Sequence, residues 1–177
     1  MSYFRNNISI VVFYCLVVLV SCKEKKPAVS EEQYRTTKEQ MPEVNRILLA
    51  KDKMRIEGYI ERHELDMQES PTGLWYAVNN PDSGELVKPG MSVYLKYTLD
   101  LLDGKNCYDS EKSGIKTFRV GRGNVESGLE EAILMMKVGG RAKFIMPPHL
   151  AYGLPGDGDC IPARAIIVYD LQVLSAE

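Results

Sequence analysis

Few side chains in this sequence have the types and spacing that make or break bonds. Its two histidines, His63 beside Glu61 and Glu64 and His149 after Pro147-Pro148, have no second His or Cys at ligand spacing. Both read as solvated or loop residues, and no metal site is expected. Gly121-Arg122-Gly123 through Gly128 has the glycines of a phosphate loop but neither its βαβ setting nor a Lys-Ser/Thr pair. Gly156-Asp157-Gly158-Asp159 supplies carboxylates without the longer loop and terminal Glu of a calcium site, and reads as a loop tip. The chain also carries four cysteines. Lysine and arginine number 22 against 24 aspartates and glutamates, and the net charge of −2 leaves no electrostatic case for nucleic acid. With 45% apolar residues, 14 Gly and 9 Pro, the composition is that of one globular domain plus an extension.

Cys22 closes a segment with the order of a secretory signal. Arg5 sits in a short polar opening, and an apolar run from Ile8 to Val20 is broken only by Ser9. That run is short of the roughly 20 residues a membrane-spanning helix needs. A plain signal cut by the ordinary peptidase is one reading. The other follows from Leu19-Val20-Ser21-Cys22, which resembles the bacterial lipobox. It implies that residues 1–21 are removed, that Cys22 is acylated, and that the acyl chains hold the protein on a membrane. Cleavage removes Cys15 and leaves Cys107 and Cys160 in the folded part, in an exported and oxidising compartment.

Residues 22–30 are charged, contain Pro27 and lack periodicity, which predicts a flexible tether. Residues 31–70 predict a helical arm. Gly58 is its only glycine, and Pro42 is expected to divide it, since proline disrupts a helix interior but suits a first turn. After Pro42, Val44, Ile47, Leu48, Lys51, Met54, Arg55, Gly58 and Tyr59 recur at helical spacing as a narrow apolar stripe. Such a stripe needs a surface: the chain's own domain, a second copy in a homodimer, or a partner protein.

Ser70-Pro71-Thr72-Gly73 marks a change of period and opens a domain over residues 71–177. Five short strands are expected at Leu74 to Val78, Ser92 to Leu99, Lys116 to Val120, Ala142 to Met146 and Ala165 to Val173. One helical stretch, Leu129 to Lys137, has Leu129, Ile133 and Met136 on one face and stops at Gly139-Gly140. One helix among five strands predicts an α+β domain, a curled antiparallel five-stranded sheet over one short helix, preceded by the arm.

Nine pieces in order carry a family resemblance. They are Tyr97-Thr98, Asp103-Gly104, Tyr108-Asp109-Ser110, Phe118, Gly128-Leu129-Glu130-Glu131, Met136-Lys137-Val138-Gly139, Ala151-Tyr152-Gly153, Ile161-Pro162 and Val168-Tyr169-Asp170-Leu171. Over about residues 73 to 175 the chain resembles the FK506-binding-protein (FKBP) type of peptidyl-prolyl cis-trans isomerase. The lipobox, the arm and Gly128-Leu129 in place of Gly-Trp are also similar to the gliding-motility-associated isomerase lipoproteins of Bacteroidetes. That likeness implies the cell envelope. Lys23-Glu24-Lys25-Lys26 lacks the acidic cluster linked with surface export, so the outer membrane facing the periplasm is expected.

The family's chemistry asks little of its residues. Amide resonance holds an X-Pro bond planar behind a barrier of roughly 18–20 kcal/mol, and uncatalysed exchange takes tens of seconds or more. An apolar cleft removes the water that stabilises the planar form, so no nucleophile, metal or cofactor is required. The resemblance implies a cleft formed by Tyr97, Tyr108, Asp109, Tyr152, Ile161 and Tyr169, with Val125, Glu126 and Leu129 binding substrate. Phe118 serves either this wall or the core. Tyr152 would offer its hydroxyl to a substrate carbonyl, and the backbone N–H groups of Glu126 and Ile161 would fix the peptide. Clients would be Pro-containing exported polypeptides. The competing expectation is a non-catalytic chaperone that grips Pro segments, or an accessory lipoprotein of a motility or secretion assembly.

Several positions depart from the family pattern. Leu129 stands for the Trp of the cleft floor, the only Trp being Trp75, and Glu126 replaces an aliphatic. Ala163 stands where a second proline is frequent, and Asp157 falls on a variable tip. An extra residue between Gly104 and Tyr108 leaves Cys107 or Tyr108 as the inward one. In the family fold Cys107 and Cys160 would lie together at the cleft mouth, either bridged as a disulfide or as two reduced thiols.

Overall fold

The computed structural model describes the backbone of residues 31–177 and the side chains of residues 41–177. The expected signal (1–21), the acylated Cys22 and the tether (22–30) lie outside the described residues. The chain divides into compact units of residues 1–44 and 45–177. Of the first, only the opening of a helix is described; the second carries the sheet.

That helix, α1, runs Glu31–Arg62 with Pro42 inside it, which corrects the expected division. A proline in a helix interior loses one N–H bond and crowds the carbonyl four residues back, at about 3 kcal/mol. Helix-forming residues on both sides, with no glycine before Gly58, outweigh that local cost. The docked face also differs from the expected stripe. Val44, Ile47 and Met54 are exposed, while Asp52 and Ile56 are buried and Tyr59 and Ile60 partly so. Asp52 looks like a polar flank in the sequence, yet it lies on the inward face because Arg164 meets it there at 2.7 Å.

The strands are β1 (Gln68–Glu69), β2 (Trp75–Asn79), β3 (Ser92–Leu101), β4 (Asn106–Asp109), β5 (Lys116–Arg119), β6 (Arg141–Met146) and β7 (Ile167–Ala176). Two short helices, α2 (Ser110–Ser113) and α3 (Ser127–Ile133), lie among them. The sheet is antiparallel in the order β1-β2-β6-β7-β3-β4, with β5 also on β3. It has seven strands where five were expected. The added ones, Gln68-Glu69 and Asn106-Cys107-Tyr108-Asp109, carry no apolar alternation; partner hydrogen bonds make them strands, Gln68 opposite Tyr76 and Tyr108 opposite Leu99. Helix α3 is also shorter than expected, ending at Ile133 in tight turns that carry Met135 and Met136.

Alternation in the strands gives the sheet two buried faces. On one, Val93, Leu95, Leu99, Phe144, Met146, Tyr169, Leu171 and Val173 pack with Leu129, Ala132, Ile133 and Met136 of the α3 region. On the other, Ile145, Ile166 and Val168 receive Ile56 of α1, with Trp75 and Leu102 alongside. Gly128 lets α3 approach closely: a Cβ there would lie 2.9 Å from the Leu150 carbonyl oxygen and from the Met146 sulfur.

Candidate functional site: a tyrosine cleft with a buried ion pair

Strand register brings the first two tyrosines together. Tyr97 pairs with Leu171 and Leu99 with Tyr169, so the two tyrosines are diagonal neighbours on β3 and β7. Their ring centroids are 5.9 Å apart at a tilt of 51°. Leu129 forms a fully buried floor in the core cluster, which Val125, Tyr108 and Tyr152 join as partly buried residues. Phe118 is buried in that core.

β5 then contributes a residue that the sequence reading passed over. Phe118 points into the core, so Lys116, two residues earlier on the same face, is also turned inward. Its ammonium lies 3.2 and 3.4 Å from the two Glu126 carboxylate oxygens and donates to the Tyr169 hydroxyl at 3.1 Å. It also stands 5.8 Å from the Tyr97 ring centroid and 5.6 Å from that of Tyr169. Tyr169 donates its own proton to Glu126 at 3.0 Å. Tyr152 stands close enough to the same carboxylate for each group to act on the other's titration. Burial alone would raise the Glu126 pKa, but Lys116 and the two hydroxyls outweigh it and hold the group below its ordinary value. Burial first, and then Glu126, pushes the Tyr97, Tyr152 and Tyr169 hydroxyls upward, so all three keep their protons at neutral pH.

A second network ties the mouth of the cleft. Asp157 receives the Tyr108 hydroxyl and the backbone N–H groups of Ile161 at 2.8 Å and Asp159 at 2.9 Å. The Asp157 hydrogen bond, followed by burial, pushes Tyr108 up to about 12. Cys107 and Cys160 form a disulfide with a Cα separation of 5.5 Å. Cys107 and Tyr108 are thus both partly buried, one in the bridge and the other on Asp157. Gly156 permits the loop to fold back, since a Cβ there would lie 2.2 Å from the Ile161 carbonyl oxygen, at φ +72°. Asp109 caps α2, accepting the Glu111 N–H at 2.8 Å.

Without a bound peptide, the Ile161 N–H bonds the Asp157 carboxylate four residues earlier at 2.8 Å, and Glu126 raises the Tyr152 pKa further after burial. The sequence assigns no site role to Lys116, and Asp157 reads in it only as a loop tip. Alternation with Phe118 was a usable signal for Lys116; nothing local marked Asp157, whose partners lie on another strand and in its own loop.

Sheet, short helices and site together define a class. A sequence model of FKBP-type peptidyl-prolyl cis-trans isomerase matches residues 83–174, just over half of the chain, and the chain belongs to that family. It is similar to FK506-binding protein 4 of Chaetomium thermophilum, 42% identical over 96 residues, which are 52% of this chain and 19% of that protein. It is also similar to peptidyl-prolyl cis-trans isomerase Fkbp12 of Drosophila melanogaster, 35% identical over 98 residues, 54% of this chain and 90% of that one. A probable FKBP-type isomerase of Haemophilus influenzae is 29% identical over 62% of this chain and 45% of its own. The chain thus spans less than half the length of several curated relatives it matches. Among solved structures, AtFKBP13 superposes with a TM-score of 0.60 at 28% identity, covering 63% of this chain and 99% of that one. FkpA from Escherichia coli superposes at 0.63 and 24% identity over 97% and 82%, a likeness of fold alone.

Proposed function

We propose that this protein catalyses cis-trans exchange of X-Pro bonds in exported polypeptides, assisting their folding from a lipid anchor at Cys22. The observation that carries the reading is the tyrosine cluster: Tyr97, Tyr108 and Tyr152 are partly buried against a core that holds Tyr169 and Leu129 fully buried, in a domain of the isomerase family. Tyrosine faces receive a proline ring, and exclusion of water removes part of the preference for the planar amide. Nothing in that mechanism needs a cofactor. The test is direct. Purified protein should accelerate exchange of an X-Pro tetrapeptide, read by protease-coupled turnover or NMR exchange; folded protein that leaves every X-Pro peptide at its uncatalysed rate overturns the reading. The competing reading, a Pro-segment-binding chaperone or accessory lipoprotein, is favoured by the Glu126–Lys116 pair and by Leu129 in the floor, both of which make the cleft less aromatic.

The envelope reading rests on Leu19-Val20-Ser21-Cys22 and on a disulfide suited to an oxidising compartment. It includes the periplasmic face of the outer membrane and kinship with Bacteroidetes motility lipoproteins. Cys22→Ser should abolish labelling by fatty acid and release the protein from membranes; equal labelling of both forms refutes the anchor. The exposed Val44, Ile47 and Met54 of α1 support pairing with a second copy. Sedimentation of wild type and a triple Glu variant at these positions tests that, and a monomeric wild type rules it out.

A further inference from the structure

We infer that Asp157 is a positioning residue of the cleft: it ties Tyr108 of β4 to Ile161 of the β6–β7 loop and so sets the spacing of two walls that receive the prolyl segment. The inference rests on the X-Pro reading of the cleft. It starts from the elements that carry the two walls. Tyr108 lies on the strand that ends the sheet, opposite Leu99 and beside a register shift between Leu99 and Asp100. Ile161 lies in the loop between Leu150 and Ile167. An edge strand and a long loop are poorly able to hold a wall in place by themselves.

Asp157 fastens both. Its carboxylate accepts the Tyr108 hydroxyl and, at 2.8 Å, the Ile161 N–H, and bonds to an ionised acceptor are the stronger kind. Its own N–H donates back to the Ile161 carbonyl at 3.1 Å, so residues 157 and 161 are bonded in both directions. Gly156 and Gly158, at φ +72° and +79°, let the chain turn tightly on either side of it. The Cys107–Cys160 bridge runs alongside, one residue before Tyr108 and one before Ile161. That bridge limits how far apart the two backbones lie; the carboxylate fixes which way the Tyr108 hydroxyl and the Ile161 peptide point. The Ile161 side chain is buried in the core, so the tie at its N–H holds this wall from a second side. Affinity falls with the fraction of molecules whose cleft already has the competent arrangement, so loss of the tie should act on binding more than on the rotation step.

The experiment compares binding and exchange of one N-acetylated Leu-Pro tetrapeptide, by NMR titration and NMR exchange, in the wild type and three variants, each well below its melting temperature. Asp157→Ala removes both ties. Asp157→Asn keeps an oxygen for the N–H groups and an amide for the Tyr108 oxygen, and Tyr108→Phe breaks the tie across the mouth alone. Asp157→Ala should bind the peptide roughly tenfold more weakly, with KM raised more than kcat is lowered. The Tyr108 ring and Ile161 amide signals of the free protein should move with it. Asp157→Asn should recover most of the loss, and Tyr108→Phe should lose less than Asp157→Ala. A lower melting temperature with wild-type affinity and KM in Asp157→Ala overturns the assignment, because the residue then serves stability alone. A larger loss in Tyr108→Phe than in Asp157→Ala also overturns it, because the hydroxyl then acts on the peptide itself. Peptide that binds in an Asp157-dependent way without exchanging sustains the assignment and removes the isomerase reading; a wild type that binds no peptide removes both.

Discussion

The ion pair between Asp52 of α1 and Arg164 after Ile161-Pro162 should respond unequally to loss of its two partners. Asp52 is the inner member: its side chain is 7% exposed against 33% for Arg164, and the two meet at 2.7 Å. Arg164→Met leaves a buried carboxylate without its cation. Breaking a buried pair typically costs 3–5 kcal/mol, and about 3 kcal/mol is expected here because water can enter where the guanidinium was. Asp52→Asn instead leaves a guanidinium that already reaches solvent, so about 1 kcal/mol is expected. The double change Asp52→Leu/Arg164→Met should be more stable than Arg164→Met alone, since no charge is then stranded. Met is preferred to Gly at 164 because Arg164 has φ +56°, where Gly would relieve strain and blur the comparison. Urea unfolding at pH 7 reads the result: a loss of about 3 kcal/mol lowers the midpoint by roughly 1–3 M. Equal costs for the two single changes, or a double variant less stable than Arg164→Met, would refute the account. The loop at stake carries Tyr152 and Ile161, and the Arg164 N–H also bonds the Gly153 carbonyl at 3.0 Å and so ties together the ends of that segment.

Other outcomes follow from the same structure. The Cys107–Cys160 bridge spans 53 positions, for which the chain-entropy model gives about 4 kcal/mol, so reductant should lower the melting temperature. An unchanged melt with both thiols shown by mass to be alkylated would contradict this. The Glu126 pKa lies below its ordinary 4.5, so its contribution is fully present above that pH and is lost as pH falls through the folded value. The stability difference between wild type and Glu126→Leu should therefore stay constant from about pH 5.5 to 8 and change only in acid; a change near neutrality counts against it. Leu129→Trp, which restores the aromatic floor suggested by the family pattern, should destabilise by about 1–3 kcal/mol, because Leu129 is fully buried and the core has no slack for the larger ring. A stable, more active Leu129→Trp protein would show that the floor is open.

Local pattern carried much of the fold. Alternation marked β2, β3, β5, β6 and β7, because half-buried strands must repeat every two residues, and the apolar face of Leu129, Ile133 and Met136 marked the helix beneath them. Motif order placed the tyrosines in one family cleft before their rings could be seen together, and it put Cys107 near Cys160. What escaped was whatever depends on a distant partner. β1 and β4 are strands only because β2 and β3 offer them hydrogen bonds. α1 passes through Pro42, which helix-forming neighbours outweigh, and it docks on Asp52 and Ile56 because a buried aspartate finds Arg164 across the fold. Lys116 enters the cleft because Glu126 and Tyr169 are there to receive its charge, and the Ile161 N–H is taken because Asp157 folds back onto it. Periodicity is written in neighbouring residues, so the sequence alone determined which faces are apolar. The energy of a buried charge or of a spent hydrogen bond depends on groups many residues away, so only the tertiary structure decided which polar atoms the cleft still has to offer.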